Sequence, residues 1–222
     1  MMNDTHIINI DKPVDWTSFD VVNKIRFATK IKKVGHAGTL DPFATGVLIV
    51  LTGKNTKRQA EFMAMPKSYE AEIILGESTD TGDKTGTILE TVAVPELDSS
   101  TVQQALDGFL GEIQQIPPMY SAKKIGGKKL YKLARAGKTI DREPVLVNIY
   151  GIELLELGDK RLKISVDCGK GTYIRVLAED IAKALGTVAH VDVLTRTAVG
   201  DYRIEDAVSI PEFIENWKSY AA

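Results

Sequence analysis

The apolar residues of this chain follow two different spacings, and these do not alternate in a regular order. Strand-like stretches are read at His6 to Ile10, Val47 to Leu51, Tyr69 to Leu75, Thr87 to Val92, Arg142 to Leu155, Arg161 to Val166 and around Val188 to Leu194. Helical spacing follows a Thr17-Ser18 cap, with Val21, Val22, Ile25 and Phe27 on one face. It returns at Asn55 to Met65, Ser99 to Phe109, Lys128 to Ala136 and Thr172 to Leu185, and Pro211 opens a last short helix. A strict strand-helix-strand order would build a doubly wound parallel sheet; this irregular order predicts an α+β fold.

At 222 residues the chain can bury a substantial core. It starts with no basic apolar leader, and its longest tight apolar run, Val47 to Leu51, is far too short to cross a bilayer, so a cytoplasmic protein with no membrane partner is expected. The single cysteine, Cys168, excludes an internal disulfide, and the three scattered histidines offer no zinc spacing, so no metal is expected. The net charge of −2 conceals a segregation. Ile113 to Ile140 carries Lys123, Lys124, Lys128, Lys129, Lys132, Arg135 and Lys138, and Val21 to Leu40 carries Lys24, Arg26, Lys30, Lys32 and Lys33, with no acid in either stretch. A basic face on an acidic body suits a polyanion binder of limited non-specific affinity, although two solvated helix faces would look the same.

The richest segment is Gly35-His-Ala-Gly-Thr-Leu-Asp41-Pro-Phe-Ala-Thr-Gly46, a glycine-studded loop expected between a helix and a buried strand. Pro42 holds Asp41 out of helical geometry, and a carboxylate fixed there can act as nucleophile or base; an ordinary Asp-Pro turn is the bland alternative. Gly53-Lys54-Asn55 lacks the upstream glycine and hydroxyl of a phosphate loop, so no nucleotide cofactor is supported. Asp80 to Gly86 lacks the alternating acids of a calcium loop and reads as a strand connection.

Gly35 to Leu48 closely resembles the signature of the TruB family of tRNA pseudouridine-55 synthases, relatives of the guide-RNA-dependent enzymes of the dyskerin type. Further matching segments follow in the family's order: Asp11-Lys-Pro13, Lys67-Ser-Tyr69, Thr79-Asp-Thr81, Ile116 to Ala122, Lys128 to Tyr131, Gly169 to Arg175, and Ala189 through Leu194 to Arg196. The resemblance implies a pseudouridine synthase-type fold: a mixed, largely antiparallel sheet flanked by helices. It also implies a catalytic domain, expected here over 1–222, with a basic thumb insertion at about 118–142; bacterial relatives usually continue into a C-terminal PUA-type domain, and in a departure from them this sequence is expected to lack one. Recognition is then expected to lean on the thumb and the catalytic cleft.

The resemblance also implies roles. Asp41 is the catalytic carboxylate, expected to act as nucleophile, although removal of a sugar proton is an equally sound use of it. Tyr69 stacks on the target uracil and can relay a proton. Tyr173 and Leu194 line the uridine pocket, and His36 contacts the extruded RNA. Arg175 keeps Asp41 ionised and oriented, Lys12 supports the pocket from beneath, and Lys170 is a candidate phosphate contact. Lys123, Lys124, Lys128, Lys129 and Lys132 belong to the thumb that grips the T-arm stem-loop of tRNA. No cofactor and no obligate protein partner is implied, and a monomer is expected. The competing reading is a tRNA-binding folding aid in which modification is secondary.

Overall fold

A computed structural model describes residues 4–220. The chain forms two compact units: residues up to Tyr69 with those from Leu194 onward, and Glu70–Val193 between them.

The first unit opens with β1 (Ile7–Lys12) and α1 (Ser18–Thr29). Helix α1 starts where the sequence places it. Thr17 accepts from the Asp20 amide while the Asp20 carboxylate accepts from the Thr17 amide, a reciprocal cap that occupies two otherwise orphaned N–H groups. Strands β2 (Val34–Ala37) and β3 (Thr45–Thr52) follow, with β1 and β2 each pairing antiparallel with β3. A short 3-10 turn at Gly53–Arg58 leads into α2 (Gln59–Ala64), and β4 (Lys67–Leu75) carries the chain out of this unit.

Val47 to Leu51 are all fully buried because β3 has apolar cover on both faces. Leu48 and Val50 pack with Ile8, Ile10, Val22 and Ile25, whereas Val47, Ile49 and Leu51 pack with Ala37 and Phe62. This explains a continuous apolar run in place of alternation, and each such side chain contributes about 1.5–3 kcal/mol.

In the second unit, β5 (Glu77–Thr79) and β6 (Ile88–Thr91) form a small hairpin and α3 (Ser99–Asp107) follows an Asp98 cap. Then come β7 (Gly111–Gln115), a two-residue hairpin of β8 (Lys124–Ile125) and β9 (Lys128–Lys129), and α4 (Leu130–Arg135). β10 (Val145–Leu157) and β11 (Arg161–Cys168) form a long antiparallel pair, with β7 on the far edge of β10 and β4 beside β11. Helix α5 (Ile174–Ala184) buries Leu177, Ala178 and Ile181, and β12 (Ala189–Val199) returns the chain to the first unit.

There β12 pairs with β3 in parallel, β13 (Tyr202–Arg203) folds back on β12, and α6 (Ile210–Tyr220) adds Phe213 and Trp217 to the cluster under α1. The sheet is mixed and largely antiparallel with flanking helices, as expected.

Several boundaries differ from the sequence reading. Phe27 is not on the buried face of α1 but 72% exposed, because the face set by Val21, Val22 and Ile25 points elsewhere. The glycine-rich segment is partly strand, since Val34–Ala37 pairs with β3. Helical structure after β3 begins as a 3-10 turn, and Lys128 and Lys129 belong to a hairpin and not to α4. The strand expected from Arg142 runs instead from Val145 to Leu157. Strand β7 gives no apolar alternation to read, having one buried residue, Gln115.

Candidate active site

Strand β3 decides where the carboxylate loop can go. β1 covers one of its edges from Gly46 to Leu51; on the other edge β2 covers Ile49 to Thr52, and β12 reaches only Thr45 and Gly46. The chain leaves β2 at Ala37, runs through the loop from Gly38 to Ala44, and enters β3 beside the gap between those two partners.

Arg196 of β12 fills that gap. Its side chain is almost fully buried; Nε donates to the Val47 carbonyl at 2.7 Å and Nη2 to the Gly38 carbonyl at 3.1 Å. One guanidinium thus ties the two ends of the loop together. Gly46 lies against the Arg196 backbone with φ of 98°, where a Cβ would stand 2.3 Å from the Arg196 carbonyl oxygen, so no side chain fits.

Two further anchors hold the middle of the loop. Ser18, the first residue of α1, accepts from the Leu40 amide through Oγ at 2.9 Å. Lys12 at the end of β1 has no exposed surface, and its Nζ donates to the carbonyls of Trp16 (2.7 Å), Pro13 (2.8 Å) and Pro42 (3.1 Å). The Asp15 amide also donates to the Pro42 carbonyl at 2.8 Å, and the Ala44 amide closes a turn on the Asp41 carbonyl at 3.1 Å. Asp41 is therefore half-buried at the head of a turn braced from β1, α1 and β12. Burial lowers the Lys12 pKa to about 8, against the opposing pull of the negative charges of Asp41 and Asp15. The lysine and the carboxylate are electrostatically coupled, and the ammonium is held by three carbonyls, one for each of its protons.

The other expected residues of this unit lie on its strands. Tyr69 is half-buried in β4, and Leu194 is 5% exposed in β12. His36 is half-buried in β2 opposite Val50, with its carbonyl accepting from Gln59 Nε2 at 2.7 Å.

In the second unit Arg175 is the second residue of α5 and is nearly buried. Its Nη1 donates to the Thr81 carbonyl at 2.5 Å, Nη2 to the Tyr120 carbonyl at 2.8 Å, and it stands 3.4 Å from the buried carboxylate of Asp83. Asp83 also accepts from Thr81 Oγ1 and from the Thr85 amide and hydroxyl. The polar segment read as a bare strand connection is thus a loop built around a buried acid that meets Arg175. Tyr173, the N-cap of α5, exchanges two backbone hydrogen bonds with the amide of buried Gln115: its N–H donates at 2.9 Å and its carbonyl accepts at 3.3 Å. Lys170 is exposed in the turn before α5.

The thumb lysines also lie in this unit. Gly126 and Gly127 have φ of 57° and 78°, the pair of positive values that a tight hairpin turn requires. Lys124 and Lys128, which are exposed, and the half-buried Lys129 project from that hairpin. Lys132 is exposed on α4, and Lys123 is half-buried at the base, where its carbonyl accepts from the Leu130 amide. Leu130 is fully buried and pins the insertion. Lys129 Nζ and the Arg135 guanidinium each lie 5.6 Å from the centre of the Tyr131 ring.

The sequence assigned no site role to Arg196, Gln115 or Asp83, and read Ser18 only as part of a helix cap. For Arg196 a signal was available: Leu194, Arg196 and Ala198 share one face of a strand by their spacing, which puts an arginine on an apolar face. The other three are polar residues at element ends or, for Asp83, in a loop, with nothing in their local pattern to mark burial.

The structure thus carries a half-buried aspartate on a loop fixed by buried cations beside a mixed α+β sheet, and comparison with known proteins gives the class: pseudouridylate synthases. Residues 26–174 match the TruB family pseudouridylate synthase N-terminal domain, and 175–222 match the tRNA pseudouridylate synthase B C-terminal domain. The chain is 47% identical over 215 residues to tRNA pseudouridine synthase B of Phocaeicola vulgatus, covering 94% of this chain and 92% of that one. It is 44% identical over 211 residues to the protein of the same name from Psychrobacter cryohalolentis, where it covers 93% of this chain but spans only 59% of the relative's length. A chain in the crystal structure of a Cbf5-Nop10-Gar1 complex superposes with a TM-score of 0.75 at 29% identity, covering 97% of this chain and 56% of that one. The chain belongs to the TruB family of pseudouridylate synthases.

Proposed function

We propose that the protein converts uridine 55 in the T-arm of tRNA to pseudouridine, with Asp41 as the catalytic carboxylate. The observation that carries this reading is the bracing of the Asp41 turn. Three side chains from three elements, Lys12, Ser18 and Arg196, hold Gly38, Leu40 and Pro42 of the loop and Val47 just beyond it by their backbone, leaving a half-buried carboxylate at a defined position. An ordinary Asp-Pro turn would not call for two buried cations.

The reaction breaks the N1–C1′ bond, turns the detached uracil and joins C5 to C1′. The hydrogen lost from C5 is balanced by one gained at N1, so the change is an isomerisation that needs neither oxidant nor reductant. Asp41 assists by attacking the sugar or by taking a sugar proton. Tyr69 offers its ring to the detached base and its hydroxyl to the proton leaving C5. Leu194 and Tyr173 are assigned to the walls of the uridine pocket, His36 to the extruded strand and Arg175 to holding the carboxylate charged. Extruding the nucleotide costs a few kcal/mol, which phosphate contacts to the thumb lysines offset. The protein is assigned to the cytoplasm and acts as a monomer.

Asp41→Asn keeps the size and much of the hydrogen bonding of the side chain while removing its charge. Pseudouridine mapped in tRNA after incubation with this variant is expected to be absent, with tRNA affinity within about tenfold of wild type, or roughly 1.4 kcal/mol. Wild-type turnover in Asp41→Asn would displace the carboxylate assignment. Tight tRNA binding by the wild-type protein without any modification would favour the folding-aid reading.

A further inference from the structure

Strand β7 is the last strand of the sheet beyond β10, and its one buried residue is polar. Gln115 closes the strand opposite Val145 with 1% of its surface exposed, and Pro117 ends strand geometry two residues later. An apolar side chain of the same size would fill this space without burying an amide, so what the amide adds lies in its hydrogen bonds. Both go to one residue of the same unit: Oε1 accepts from the Tyr173 N–H at 2.9 Å and Nε2 donates to the Tyr173 carbonyl at 3.3 Å. The side chain of Gln115 thus pairs with the backbone of Tyr173 as a neighbouring strand would.

The start of α5 gains from that support. A serine, threonine, aspartate or asparagine at the N-cap would fasten the first turn with its own side chain, whereas Tyr173 makes no such bond. The approach to it is loosened by Gly169 and Gly171; Gly171 has φ of 85°, and a Cβ there would meet nothing within 4 Å. Gln115 acts where this loop becomes helix. It holds Tyr173 at φ of −102° and ψ of 107°, and those angles set the direction of the Cα–Cβ bond and so of the ring. We propose that Gln115 is a positioning residue, which fixes the Tyr173 backbone and through it the ring that walls the uridine pocket. This rests on the proposed function, which assigns Tyr173 to that wall. Gln115 is itself sealed from solvent and meets neither RNA nor the reacting atoms. Its loss therefore leaves the RNA bound through its other contacts, with the uridine poorly placed for chemistry, and misplacement of a reactant costs rate more than affinity.

The test is a double-mutant cycle read by single-turnover pseudouridine formation and by affinity for a T-arm stem-loop RNA. The proteins are wild type, Gln115→Met, Gln115→Glu, Tyr173→Ala, and each Gln115 variant combined with Tyr173→Ala. Gln115→Met fills the space without either hydrogen bond. Gln115→Glu still accepts from the Tyr173 N–H but sets a carboxylate oxygen against the Tyr173 carbonyl, and it decides the matter should the methionine variant fail to fold. Each Gln115 variant is expected to slow the single-turnover rate by about tenfold or more, with RNA affinity within about twofold of wild type. Hydrogen exchange at the Tyr173 amide is expected to quicken in Gln115→Met. In the Tyr173→Ala background the Gln115 changes are expected to cost no further rate, because the ring they position is gone. An unaltered rate in a folded Gln115 variant overturns the inference and leaves the proposed function standing. So does a loss that recurs in full in the Tyr173→Ala background, or one in which affinity falls as far as rate. A wild-type protein that forms no pseudouridine overturns the inference together with the function it rests on.

Discussion

Lys12 is completely buried, and at neutral pH it still holds a charge, because three carbonyls take its three protons and three carboxylates, Asp41, Asp15 and Asp11, lie within electrostatic reach. Its pKa is lowered from 10.5 to about 8. Between those values the unfolded chain keeps a proton that the folded protein has lost, so this group makes the fold more stable as pH rises through the window. The site changes in the opposite sense. Deprotonation removes one charge-assisted hydrogen bond, about 1.5–3 kcal/mol, and the positive charge coupled to Asp41. The turnover number is expected to fall with an apparent pKa near 8, while wild type gains melting temperature relative to Lys12→Met from pH 7.5 to 9.5. A turnover number that stays flat from pH 7 to 9 would remove the Lys12 charge from catalysis. Arg196 supports a second expectation. Arg196→Lys keeps the charge but cannot reach Gly38 and Val47 together, so the turnover number is expected to drop at least tenfold with RNA affinity unchanged; equal losses in both would mean that Arg196 acts on binding.

Elements marked by their own residues, by a cap or an unbroken apolar run, were legible in the sequence, and those whose order comes from a distant partner were not. Helix α1 announced itself through Thr17 and Asp20, and β3 through five consecutive apolar residues. Strand β2 was hidden because Gly35 and His36 carry no strand preference of their own; the edge of β3 supplies their order. β7 was hidden for a similar reason, its pairing set by β10. The thumb was legible as charge and as a Gly-Gly turn, although the helix reading extended two residues too far into the hairpin. Lys128→Ala with Lys132→Ala is expected to make log affinity depend less steeply on log salt, by about 2, with little effect on the melting temperature, since both side chains are exposed. An unchanged slope would take this hairpin and α4 off the phosphates.

For the molecule as a whole, the family segments along the chain made the fold class readable and singled out Asp41 as the candidate carboxylate, because motifs preserve what chemistry needs locally. They did not disclose how the carboxylate is held. That depends on where β12 meets β3, a pairing across some 150 residues of chain that no local pattern encodes. The same join has a consequence for substrate choice. A loop sealed by two buried cations can be released only by exposing both, so its amides are expected to exchange with solvent only when the whole unit unfolds. On the proposed function, the carboxylate then cannot travel to meet its target, and the RNA must do the bending. Discrimination passes to the mechanical softness of the substrate: among RNAs with the same nucleotides around the uridine, those whose loop unstacks most cheaply will react fastest.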